Sequence, residues 1–117
     1  MKHLKSVENF KENNIQIGDY VLAKIHGYSG MSSKEFMYFI NNNIGRVIEI
    51  TDPKEKFDNV SIQYENVPED IQYPWFRSNK ENNRLIKFIK TRSAYIISNS
   101  KNIKDIESIL MAKKFNI

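Results

Sequence analysis

The side chains able to do chemistry in this chain are few and poorly grouped for catalysis. Its two histidines, His3 and His26, stand far apart, and it has no cysteine. A lone imidazole in a loop is a solvated side chain more often than a general base. Without thiolates, neither a disulfide framework nor a thiolate zinc site can form. The carboxylates Glu65, Glu69 and Asp70 gather in one stretch with no histidine beside them. They read as the ordinary charge of a loop after a strand, not as a metal or acid–base site. "GYSG" at 27–30 is no nucleophile elbow, and the four glycines make neither a phosphate-cradling loop nor a dinucleotide fingerprint. Gly27 to Gly30 also spell the GxxG of a KH clamp, but after a strand instead of a helix and without its basic middle. The expectation is a non-enzymatic protein with no catalytic residue, no metal and no cofactor.

Binding chemistry is better represented. From 77 to 92 there are six basic residues, Arg77, Lys80, Arg84, Lys87, Lys90 and Arg92, against the single acid Glu81. Residues 51–76 reverse this, with six acids against two lysines, so the net charge of +4 hides a basic segment beside an acidic one. One use of the pattern is a phosphate-tracking face, with Lys87 and its neighbours outward and Tyr73, Trp75 and Phe76 offering rings for bases to stack on. The other is mutual neutralisation of the two segments across the fold, which leaves an ordinary solvated surface. "YPWF" at 73–76 divides in the same way. In a domain this small some of these rings must be core, and strand alternation sends Trp75 and Phe76 to opposite sides, one buried and one rimming a groove.

These residues need elements to position them. "IQIGDYVLAKI" alternates as a strand, with Val21, Ala23 and Ile25 on one side and Tyr20, Leu22 and Lys24 on the other, entered through a turn at Gly18 and Asp19. Ser32 and Glu35 form a capping-box pair before Phe36, Phe39 and Ile40, and Asn41 to Gly45 would end that short helix with a left-handed-tolerant stop. "IGRVIEI" and "VSIQY" are the next two strands, a hairpin with an acidic tip, with Val60, Ile62 and Tyr64 inward. The stretch 66–83 reads as a long connection, "RLIKFIK" as a fourth strand and "SAYIISNS" as a fifth that ends at Ser98. A closing helix capped by Ser100 carries Ile103, Ile106 and Leu110, and by extension Phe115, on one face, with Lys113 and Lys114 where the helix dipole favours cations. Five short strands at this spacing predict a mainly β fold with helices: a small SH3-like antiparallel β-barrel with a helical insert after the first strand and a C-terminal helix, the nearest competitor being a curled antiparallel sheet with both helices on one face. Its parts are a polar lead-in at 1–14, the barrel at 15–98, and the helix at 99–117 docked on it.

"GDYVLAKIHGY" resembles the first strand and loop of PWWP domains, members of the Tudor-like group of barrels, which begin Gly-Asp, then hydrophobic-Ala-Lys, then Gly-Tyr. "GDYV" followed by "NIGRVIEI" is also similar to KOW-type barrels, in which a glycine introduces the second strand. The resemblance spans about a third of the chain. It implies a binding module, and in the PWWP case a methyl-lysine cage to which only Tyr28 would contribute, because "SGMSS" stands where that family has proline and tryptophan.

Composition agrees with a folded module. At 117 residues there is room for one core, and 40% apolar with 27% charged residues is globular, not disordered, composition. The N-terminal stretch carries charges throughout and no apolar run, so neither a signal peptide nor a membrane span is expected and the location would be the cytoplasm. Ile, Asn and Lys supply 45 residues, the codon bias of an A/T-rich genome such as a firmicute's, a phage's, an organelle's or a large DNA virus's. The expected function is recognition of another protein through a groove near Tyr28, Trp75 and the basic fourth strand. The alternative is RNA or DNA binding through segment 77–92.

Overall fold

The computed structural model describes residues 15–25, 33–56, 58–72 and 75–114. Six antiparallel strands form one sheet: β1 (Tyr20–Ala23), β2 (Gly45–Ile50), β3 (Val60–Tyr64), β4 (Arg77–Glu81), β5 (Arg84–Thr91) and β6 (Ile96–Ser100). Helix α1 (Ser33–Asn41) lies between β1 and β2, and helix α2 (Ile103–Lys114) follows β6. The strand order is β4-β5-β3-β2-β1-β6, so β4 and β6 are the two edges and the sheet is not closed. Among the described residues no helix is long and apolar enough to cross a membrane.

The mainly β architecture, the helix after the first strand and the C-terminal helix match the sequence expectation, but there are six strands where five were expected. The additional one is β4, inside the stretch read as a connection. Its residues, RSNKE, have no apolar alternation because an edge strand at this end of the sheet has little core to face. It is held by pairing with β5, from Arg77 opposite Phe88 to Glu81 opposite Arg84. The two-residue turn between them is Asn82–Asn83, with φ of 54° and 61°. Two consecutive left-handed residues define the tight hairpin turn whose twist suits antiparallel strands, and asparagine tolerates it.

The core lies on one face of the sheet. Val21, Ala23, Val47, Val60, Ile62 and Ile89 meet Phe36, Phe39 and Ile40 of α1 in a single cluster. Gly45 lets this packing close, since a Cβ there would run into Ile62 Cγ2 and sit 2.8 Å from the Tyr64 ring. Helix α1 ends differently from the expectation. No left-handed residue stops it; the carboxamides of Asn42 and Asn43 donate to the carbonyls of Tyr38 (2.8 Å) and Phe39 (2.9 Å), and the Phe39 carbonyl also accepts the Asn42 N–H at 3.3 Å, so C-terminal acceptors of the helix are satisfied locally. Its N-terminal cap at Ser32 lies outside the described residues.

Leu22, placed by alternation on the side opposite Val21 and Ala23, is fully buried, as is Ile106. Both fall outside the main cluster, where α2 packs on β1 and β6. Of the stripe expected on one face of this helix, Ile106 is buried and Leu110 half-buried, whereas Ile103 is exposed, as is Met111. Strand β6 runs to Ser100, two residues past its expected end, so the helix is capped by Asn102: its carboxamide oxygen accepts the Lys104 N–H at 3.0 Å. Ser100 Oγ accepts the Asn102 N–H (3.0 Å) and donates to Asp105 (2.7 Å), bracing the turn from the strand side.

Candidate functional site

The residues singled out in the sequence do not converge. Tyr28 and Tyr73 lie outside the described residues. Trp75 is half-buried and stacked on Phe36, with centroids 4.9 Å apart and planes 14° from parallel. Phe76 is buried and meets Phe36, Phe39 and Tyr64 edge-on at 5.7, 6.0 and 6.2 Å. These rings hold α1 against the sheet, and a ligand has no access to Phe76. Tyr64, at the cluster's centre, is a neutral phenol, because burial pushes its pKa up.

The basic segment splits because neighbouring residues of a strand face opposite ways. Register places Arg77, Arg84 and Lys90 on one face of the β4–β5 hairpin, and Lys80 and Lys87 on the other. Lys87 donates to Ser78 Oγ at 2.8 Å on that second face. Arg92 follows β5, with its guanidinium 5.5 Å from the Tyr95 ring centroid. On the first face, Arg84 is bound to Glu65 at 2.8 Å and Lys90 lies 3.7 Å from Glu49. Arg77 and Lys90 share a shallow hollow with Glu55 and Asp58 of the β2–β3 tip.

Pairing across strands assembles a row that no single segment contains. Tyr20 stands opposite Arg46, Arg46 opposite Gln63, Gln63 opposite Phe88, and Phe88 opposite Arg77. Directly opposed residues share a face, so the five side chains line up across β1, β2, β3, β5 and β4 on the side away from the main cluster. At about 4.8 Å per strand the row is roughly 19 Å long. Arg46 confirms the alignment at one end, its guanidinium 5.5 Å from the Tyr20 centroid. All five are half-buried or exposed. A groove of about 550 Å³ includes the Tyr20 end of the row, lined by Tyr20, Arg46 and Gln63 together with Glu65, Arg84 and Ile103 of α2 among others. The sequence signal for this row was period-two alternation, but only inter-strand register brings Tyr20, Arg46, Gln63 and Phe88 together.

Asp19 anchors that end. Its carboxylate is almost fully buried, accepts from the Gln16 N–H (2.9 Å) and the Asn99 amide (3.0 Å), and meets the Lys101 ammonium at 2.9 Å. Burial opposes ionisation, but the Lys101, Asn99 and Gln16 contacts together outweigh it and hold the pKa below the ordinary aspartate value. Gly18, at φ +95°, makes the turn that delivers Asp19 there. The Gly-Asp pair is therefore a structural staple.

A second hollow, of about 520 Å³, lies on the helical side between α1 and the turn at Glu69–Ile71, floored by Phe39 and Ile71 and flanked by Tyr38, which is 71% exposed. Among the described residues no group of three His, Asp or Glu could hold a metal ion. Compared with known proteins, the chain matches no protein-family model, no curated protein and no solved structure.

Proposed function

We propose that this chain is a non-enzymatic binding module that recognises another protein through the row Tyr20–Arg46–Gln63–Phe88–Arg77 and the groove at its end. The observation that carries the reading is the row together with its flanking acids. Tyrosine, phenylalanine and arginine are the side chains enriched at protein interfaces. Glu65, Glu49 and the acidic β2–β3 tip interleave with the cations, and carboxylates so placed disfavour a continuous phosphate chain while suiting a partner of mixed charge. The same proposal takes the fold as SH3-like and akin to PWWP or KOW barrels. The strand succession β5-β3-β2-β1-β6, the short turn at Ser93–Tyr95 leading into β6, and Gly45 opening β2 support it.

The test is site-specific photocrosslinking in cells that express the protein, with a benzophenone side chain at Phe88 and, separately, at Tyr38 beside the second hollow. A discrete protein adduct is expected from Phe88 and not from Tyr38, abolished by Arg77→Ala in a variant that keeps its circular dichroism. A nucleic-acid adduct at Phe88 would install the alternative function. An adduct from Tyr38 alone would move the interface to the helical side and refute the sheet face.

A further inference from the structure

The groove at the Tyr20 end contains a carboxylate site already filled from within. The Glu65 carboxylate, just past the end of β3, accepts from Arg84 Nη2 through both oxygens, at 2.9 and 2.8 Å, and from Gln63 Nε2 at 3.3 Å. Arg46 and Asn82 line the same groove and add a second guanidinium and a second carboxamide. Nothing about the fold requires this arrangement. Both partners are highly exposed, 61% for the Arg84 side chain and 63% for that of Glu65, and ion pairs so exposed contribute little to stability. Arg84 and Gln63 thus both donate to one exposed carboxylate, in a groove that also presents Ile44 and Ile103.

We propose that the groove takes an aspartate or glutamate side chain of the protein partner, flanked by an aliphatic residue, and that this carboxylate replaces Glu65 on Arg84. The inference rests on the protein-recognition reading above and names the chemistry of the partner. Exchanging one carboxylate for another leaves Arg84 paired throughout, so the exchange carries no cost of stranding a charge. The incoming carboxylate also gains the Arg46 guanidinium. The aliphatic neighbour covers Ile44 and Ile103, which a free carboxylic acid or an inorganic anion cannot do. Glu65 thereby sets specificity: it is an internal competitor that only a ligand offering both the charge and the apolar contact displaces.

The experiment uses the full ¹⁵N-labelled chain and two blocked peptides, Ac-Leu-Asp-Glu-Leu-NH2 and its amide counterpart Ac-Leu-Asn-Gln-Leu-NH2, with a ten-residue oligo(dT) as a third probe. The readouts are the Gln63 and Asn82 side-chain amides and the Arg84 Nε–H. The acidic peptide is expected to shift all three saturably, and the amide peptide none. Glu65→Gln should tighten the acidic peptide by up to about five-fold, the most an exposed ion pair of this kind withholds, and Arg84→Gln should abolish the shifts. Equal response to both peptides, no response to either at millimolar concentration, or unchanged affinity in Glu65→Gln would each overturn the proposal. So would displacement of the acidic peptide by oligo(dT) at equimolar concentration. If the Phe88 adduct persists through any of these failures, the protein-recognition reading survives and only the carboxylate exchange is lost.

Discussion

Replacing Asp19 tests whether the Gly-Asp turn is the structural staple its contacts describe. Asp19→Ala removes the acceptor that the Gln16 N–H and the Asn99 amide reach at 2.9 and 3.0 Å. Hydrogen bonds to a charged acceptor contribute about 1.5–3 kcal/mol each. Asn99 is half-buried and Gln16 exposed, so solvent recovers part of the loss. The Lys101 end is 62% exposed, which holds that ion pair to at most about 1 kcal/mol. The expected cost is therefore about 3 kcal/mol for Asp19→Ala and about half that for Asp19→Asn, which keeps one acceptor oxygen. Because the folded pKa lies below the ordinary 3.8, the carboxylate's stabilisation is present above that value and is lost as pH falls through the folded pKa. Urea unfolding at pH 7 and in strong acid reads both effects: the gap between wild type and Asp19→Asn should be full at pH 7 and shrink in acid. A loss below about 0.5 kcal/mol at pH 7 for Asp19→Ala, or a gap independent of pH, would refute the staple.

Two further outcomes follow from burial. The Tyr64 hydroxyl is buried with no hydrogen-bond partner among the described residues, so Tyr64→Phe should raise stability by about 1 kcal/mol; a lower melting temperature would reveal a partner for the hydroxyl. Ile106 is the one fully buried side chain of α2, and Ile106→Ala should cost about 2–5 kcal/mol in chemical denaturation, whereas an unchanged midpoint would mean that α2 is not docked on β1 and β6.

How far the sequence could be read depended on which periodicity each element obeys. Val60, Ile62 and Tyr64 alternate because β3 has one face in the core, and Phe36, Phe39 and Ile40 recur at helical spacing because α1 buries one stripe. Strand β4 obeys neither pattern. An edge strand of RSNKE is specified by its partner and by the Asn82–Asn83 turn, whose adjacent asparagines were its one local signal. The burial of Leu22 had no local signal for the opposite reason: α2, arriving some eighty residues later, packs on β1 and so covers the side opposite Val21 and Ala23. The basic run at 77–92 looked like one face because charge was counted along the chain, whereas pleating and the β4–β5 turn divide it. "YPWF" did separate one buried ring from one half-buried ring, but the half-buried Trp75 lies on Phe36 and stabilises the helical side.

The stretch "GDYV" shows how the row proposed for binding is positioned across a sheet this small. Its four residues take four different directions. Gly18 turns the chain at φ +95°. Asp19 points back into the staple with Asn99 and Lys101, while Tyr20 joins Arg46 at the head of the row and Val21 enters the core. A ring presented for binding must be held by something other than the ligand, or ordering it costs affinity. Tyr20 is held from behind, because the residue before it is fixed by a buried carboxylate and the residue after it by close packing. The Gly18 N–H to Val47 carbonyl bond (2.8 Å) and the Val47 N–H to Asp19 carbonyl bond (2.9 Å) tie the same turn to β2, the strand that carries Arg46. The first two members of the row are thereby placed by one set of backbone contacts. In this reading, the stretch that resembles the opening of a ligand-binding barrel builds its fold and its candidate site with the same residues.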